Sequence, residues 1–271
     1  MFDIVTFWIV RIYAGINDMA GTITSDVLKS PADVFGADYW DSLLKIGMSA
    51  VMPFAILILS FCMAGDMYKM YCRANGAPDL EVISLTFIKY IIPFVCMTYT
   101  YDLLQFIFTQ INSMILQLYN QVTIGTGNQV DTSAFVQQVS QMSLWQKFGV
   151  LIQMFGPWLG TEIMSVVATV VVYGRLFEIV MFWIFAPIPF ATFASDDLRS
   201  SVGMNFVKMF CALILQGGLI VLTVSMYLML IKSVTVQTSV PGAFAMLGYT
   251  AILITVMVKT GSLSKRLLGT F

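Results

Sequence analysis

The strongest constraint on this chain is the recurrence of long stretches without a single charge. Residues 46–64, 209–231 and 233–258 are uncharged over 19, 23 and 26 positions. An α-helix rises 1.5 Å per residue, so 19 residues cover about 28 Å, the thickness of a bilayer's hydrocarbon layer. Composition agrees: 58% of residues are hydrophobic and 11% charged, against about 45–50% and 25% in soluble domains. The expected fold is all-α, a polytopic helical membrane protein.

The residue inventory removes most catalytic chemistry. The sequence has no histidine, and Cys62, Cys72, Cys96 and Cys211 show no C-x-x-C spacing. Three of the four fall in apolar runs, where a cysteine behaves as a small hydrophobe. A Gly-rich phosphate loop is absent. Neither a metal, a cofactor nor an enzymatic activity is expected. Fourteen Lys and Arg against 15 Asp and Glu leave no basic block able to hold a nucleic acid backbone by counterion release, so specific nucleic-acid binding is not expected. Asp3 and Arg11 disfavour a cleavable signal peptide, so Met1 is expected to start the mature chain.

Along the chain, residues 1–45 mix Ile4, Phe7, Trp8, Ile12 and Ile16 with six aspartates and read as an amphipathic helix lying in the membrane interface, followed by a loop with Pro31 and Gly36. Residues 46–101 hold two spans, 46–64 with a kink expected at Pro53 and 82–101 with Lys89 snorkelling near its start. The connection between them carries a turn signal at Asn75-Gly76-Ala77-Pro78. Residues 102–147 form an outer segment, uncharged from 103 to 130, in which Leu104, Ile107, Phe108, Ile111, Ile115 and Leu118 make one stripe of an amphipathic helix. Residues 148–271 complete the membrane region and end in a cytoplasmic tail.

The stretch 148–195 admits two readings, a hairpin at Arg175 giving six spans or one long helix from 158 to 186 giving five. Charge placement favours five. With the N-terminus outside, the inner segments then hold Lys69, Arg73, Arg199, Lys208, Lys259, Lys265 and Arg266, as the positive-inside rule asks. The last two spans are expected at 209–231 and 241–258.

A single helix over 158–186 carries Arg175 deep into the membrane, where a bare guanidinium costs roughly 2.5–3.5 kcal/mol on insertion scales. Glu178, three residues on and on the same face, is expected to neutralise it. This intramembrane ion pair either glues spans together, within or between copies, or lines an aqueous path. Pro187 and Pro189 in Ala186-Pro187-Ile188-Pro189 remove two amide donors and force a break, as a helix stop at the cytoplasmic interface or as a re-entrant gate. Asp196, Asp197 and Arg199 are candidates for a cytoplasmic docking surface. Gly156, Gly160, Gly217 and Gly218 are small-residue signals of close helix contact.

At Tyr173-Gly174-Arg175, Glu178, Ala186-Pro187-Ile188-Pro189 with Ala191 and Thr192, then Gly248-Tyr249-Thr250 and Lys259-Thr260-Gly261-Ser262-Leu263-Ser264-Lys265, the sequence resembles the TrbL-like family. These are polytopic membrane subunits of type IV secretion and conjugation machines (the sixth VirB-type component), here in the form found on conjugative elements of Gram-positive bacteria. The motifs lie in roughly the last 100 residues, and the N-terminal part agrees in plan. The resemblance implies a non-enzymatic channel or scaffold subunit of the bacterial inner (cytoplasmic) membrane, with its N-terminus outside and its C-terminus in the cytoplasm. It further implies a homo-oligomeric ring, partnered by other type IV secretion membrane subunits and cytoplasmic ATPases, on the route of transient single-stranded DNA or protein substrates. The competing classes are a small secondary transporter or ion pathway built on Arg175 and Glu178, and a sporulation or phage membrane scaffold. Transporters would carry inverted repeats and paired broken helices, and the Ala-Pro-Ile-Pro break has no counterpart in the first half.

Overall fold

Helix follows helix through the whole of the computed structural model, which describes residues 4–73, 80–126, 137, 141, 143–195, 198–235 and 240–270. In chain order the elements are α1 (Ile4–Leu28), α2 (Pro31–Phe35), α3 (Ala37–Arg73), α4 (Leu80–Thr98), α5 (Thr100–Thr126), α6 (Leu144–Phe185) and the short α7 (Pro187–Ala191). A 3₁₀ turn (Thr192–Ala194) and a π-helical turn (Arg199–Gly203) lead to α8 (Met204–Thr235) and α9 (Val240–Leu267). Among the described residues there is no strand. Five helical stretches are long and apolar enough to cross a bilayer: Ala37–Arg73, Leu80–Thr98, Met154–Phe185, Ser201–Lys232 and Ala245–Leu267. This is a multi-pass membrane protein, and Arg175 lies inside one unbroken helix.

The helices distribute into two compact units. The first comprises Met1–Leu28, Ser113–Arg175 and Leu215–Ser264. In it α1 is amphipathic: Ile12, Ile16, Met19, Ala20, Ile23 and Val27 are buried, while Arg11, Asp18, Gly21 and Ser25 face outward. On α9 the buried positions Thr250, Leu253, Met257, Thr260 and Ser264 recur at three- and four-residue intervals, the seam of a helix packed on a neighbour. Tyr227 meets the Thr250 hydroxyl at 3.2 Å, and Gln216 donates to the Thr260 hydroxyl at 3.4 Å. That seam runs past Lys259, so α9 continues nine residues beyond the end at 258 expected from the charge pattern. Lys259 is simply exposed on the opposite side, and Lys265 and Arg266 sit in the last turn, where the helix dipole favours cations. Gly269 takes φ +63°, letting its amide and that of Thr270 cap the carbonyls of Arg266 and Lys265.

The second unit comprises Lys29–Asn112, Leu176–Ile214 and Lys265–Phe271. Ser30 and Asp33 form a reciprocal capping box that starts α2, and Gly36 at φ +86° ends it. Trp183 of α6 is the centre of an aromatic core, with ring centroids 5.2 Å from Trp40, 5.7 Å from Phe108 and 5.7 Å from Phe210. Lys89 pairs with Asp66 of α3 at 3.2 Å, and the Tyr90 hydroxyl donates to the same carboxylate at 2.9 Å. The second span ends at Thr98 rather than at 101, because the chain bends at Tyr99 before α5 begins. Pro53 lies inside α3, while the turn signal at Asn75 to Pro78 lies outside the described residues.

Candidate functional site

The first unit buries one guanidinium. Arg175 is 5% exposed, and the local structure explains how a cation is tolerated there. Helix α1 stops at Leu28 because Ser30 begins the next capping box, so the last carbonyls of α1 have no amide partners within that helix. Arg175 Nη1 donates to the Val27 carbonyl at 3.3 Å, placing a positive charge at the negative end of the α1 dipole. Next to it, the Tyr173 hydroxyl donates to Asp26 Oδ2 at 3.4 Å. Two side chains of α6 thus hold consecutive residues of α1.

The guanidinium also lies flat against Gly217 of α8. A Cβ at that position would come within 2.5 Å of Nη1 and 2.6 Å of Cζ and Nη2, so only glycine leaves room for the head group. Its neighbour Gly218 takes Ile115 of α5, which would stand 3.3 Å from a Cβ there. Gly156 and Gly160 admit Leu247 and Thr250 of α9, with would-be Cβ distances of 2.8 and 3.5 Å. The four glycines all lie at helix crossings, but Gly217 receives an arginine head group where its sequence pattern pointed to plain helix contact. A Gly-Gly pair in one span and a charged residue in another were the available signals; nothing in their spacing links them.

Glu178 belongs to the second unit and is exposed, on the outward stripe of α6 that also carries Gly174, Phe177, Met181 and Phe185. Arg175 and Glu178 therefore have opposite exposures, although both lie within the span. Pro187 is buried and Pro189 half-buried. The break they cause is enclosed by protein: α7 packs on α3 and α4, and Phe190, Ala191 and Ala194 are buried. The Tyr101 hydroxyl reaches the Ile184 carbonyl at 3.5 Å through the gap left by Gly47, where a Cβ would be 2.6 Å from that hydroxyl. Phe193 occupies the corresponding space beside Gly203 in the π-helical turn. Arg199 is exposed in that turn; Asp196 and Asp197 lie outside the described residues.

A cavity of about 250 Å³ opens between α1 and α6 of the first unit. Asp18, Thr22 and Asp26 line it from one helix and Glu162, Ser165 and Thr169 from the other. No motif in the sequence links Glu162 to these companions. Polar residues at intervals of three and four in a span were the readable trace. Among the described residues no group of three or more acidic or Cys side chains is arranged to hold a metal.

The profile of the family described as "TrbL/VirB6 plasmid conjugal transfer like protein" matches residues 16–187, more than half of the chain. The chain belongs to the TrbL/VirB6-like family. This TrbL/VirB6-like protein is a component of a conjugal transfer system and belongs with the other subunits of a type IV secretion complex. The match runs from α1 to Pro187, so it contains both Arg175 and its Val27 partner. It covers the N-terminal part that the sequence reading compared only in plan, and it stops short of the Gly248 and Lys259 motifs. Comparison with curated proteins and with solved structures gives no match.

Proposed function

We propose that this chain is a non-enzymatic channel or scaffold subunit of a type IV secretion machine, multimerising in the cytoplasmic membrane on the route of the transferred substrate. Its N-terminus lies outside and its basic tail in the cytoplasm, near the ATPases; Asp196, Asp197 and Arg199 are offered as a docking surface on that side. The observation that carries the reading is Glu178, an exposed carboxylate on the outward stripe of a membrane span. Lipid against an ionised side chain costs about 3 kcal/mol at the helix centre, so protein or water must cover this face in the working state. Arg175, tied to Val27 and seated on Gly217, serves as an internal brace between α6, α1 and α8 within the first unit.

Crosslinking in native membranes, followed by identification of the attached proteins, tests the proposal. Recovery of further copies together with ATPase or assembly subunits is expected, and Arg175→Ala should depress transfer. Recovery of no secretion component would sink it. The acid- and hydroxyl-lined cavity between α1 and α6 favours a second reading, an ion pathway. That reading requires cation flux in proteoliposomes by the isolated protein, abolished in Glu162→Gln, where the subunit reading expects none.

A further inference from the structure

We propose that copies of this chain pack head to tail, the outward stripe of α6 in one copy against α8 of the next, with the Lys208 ammonium of the second donating to the Glu178 carboxylate of the first. The inference rests on the multimeric reading above and names the partner surface. Glu178 stands seven residues before Phe185 at the end of α6, about 10 Å along the axis, which a glutamate stem cannot reach across to the headgroups. Lys208 stands seven residues after Ser201 at the start of the fourth span. Because residues 186–200 join these two ends, both groups lie at matching distance from the same end of antiparallel helices. Both are exposed, and each brings the charge the other lacks.

They do not serve each other within one copy. Phe206 of α8 stacks on Phe182 of α6 with ring centroids 5.4 Å apart, which fixes the side of α8 that meets α6. Lys208 is two residues further on, about 200° around the helix, and points away from that contact. Glu178 and Lys208 therefore occupy different faces of one protomer. An interface made from two different faces is heterologous and, where the rotation between copies closes, generates a ring rather than a two-fold dimer. Phe177, Met181 and Phe185, each more than half exposed, give the α6 face its apolar packing surface, while the charge pair fixes its partner and depth.

The test is co-purification of two differently tagged full-length copies from membranes. Glu178→Lys alone sets lysine against Lys208, and Lys208→Glu alone sets glutamate against Glu178; each should lower self-association about tenfold or more. Mixing the two single variants re-creates an opposite-charge pair at every contact between unlike copies, and co-purification of the two tags should return to the wild-type level. An intramolecular pair would not be rescued by mixing. Single variants that associate like wild type, or a mixture that fails to recover, overturn the proposal. So does rescue of Glu178→Lys by Lys259→Glu instead of Lys208→Glu. A wild-type chain that never co-purifies with itself would overturn the multimeric reading too, which separates the two failures.

Discussion

Placing a methyl group on Gly217 is the sharpest perturbation of the buried arginine. The added Cβ would stand 2.5–2.6 Å from three atoms of the Arg175 head group, roughly 1 Å inside an ordinary contact. The guanidinium cannot simply swing into solvent, because the residue is 5% exposed and its bond to Val27 is already 3.3 Å long. A retreat of that size breaks the bond. Overpacking costs about 1–3 kcal/mol and loss of a charged-group hydrogen bond about 1.5–3 kcal/mol, offset by up to about 1 kcal/mol from replacing glycine in a helix. Gly217→Ala should therefore destabilise the protein by about 1.5–5 kcal/mol. Thermal unfolding in detergent measures this, with transfer frequency as the functional readout. Gly21→Ala is the control: a Cβ there meets nothing within 4 Å, so the helix gains stability. In an Arg175→Met background the cost of Gly217→Ala should fall below about 1 kcal/mol, a coupling of the size neighbours in contact give. If Gly217→Ala behaves like Gly21→Ala, or costs the same in both backgrounds, the seating of the arginine on Gly217 is wrong.

The second unit contains a parallel case. Gly47→Ala should lower stability because its Cβ would stand 2.6 Å from the Tyr101 hydroxyl, and Tyr101→Phe should recover most of the loss in the same melting assay. Thr260→Val strands the buried Gln216 amide, at about 1–3 kcal/mol, whereas Gln216→Leu leaves the Thr260 hydroxyl its bond to the Met257 carbonyl and should cost less; in the double variant the Thr260→Val cost should largely disappear. Asp33 gives a pH prediction outside the spans. Its carboxyl is held below the usual carboxylate range first by the Ser30 hydroxyl and then by the Ser30 amide. Because the folded value is the lower one, the cap stabilises α2 above the unfolded value near 3.9 and is lost as pH falls through the folded value. After correction for the intrinsic pH dependence of exchange, amide protection at residues 33–36 should drop on acidification, and Asp33→Asn should remove that dependence.

What the sequence discloses and what it withholds follow from the solvent. Uncharged runs name the spans because charge is costly in oil, and the uninterrupted helix through Arg175 was readable from the positive-inside count. Faces are another matter. In water, α1 must bury Ile12, Ile16, Met19 and Val27 and expose Asp18, so its orientation is written in its periodicity. In lipid, the outward face of α8 is as apolar as the inward one, and the 3.6-residue signal vanishes. Only small and polar residues then mark protein contact, which is why Gly217, Gln216 and Thr260 proved informative while the surrounding leucines and valines were silent. The same loss of signal explains Arg175 and Glu178: three residues apart, they read as one pair, yet 300° around a helix leaves about 60° between them, enough to put one inside and the other outside. A charged residue in a span reveals that a neighbour exists. It leaves open whether that neighbour is a glycine in the same chain, as for Arg175, or lies beyond the protomer, as we propose for Glu178.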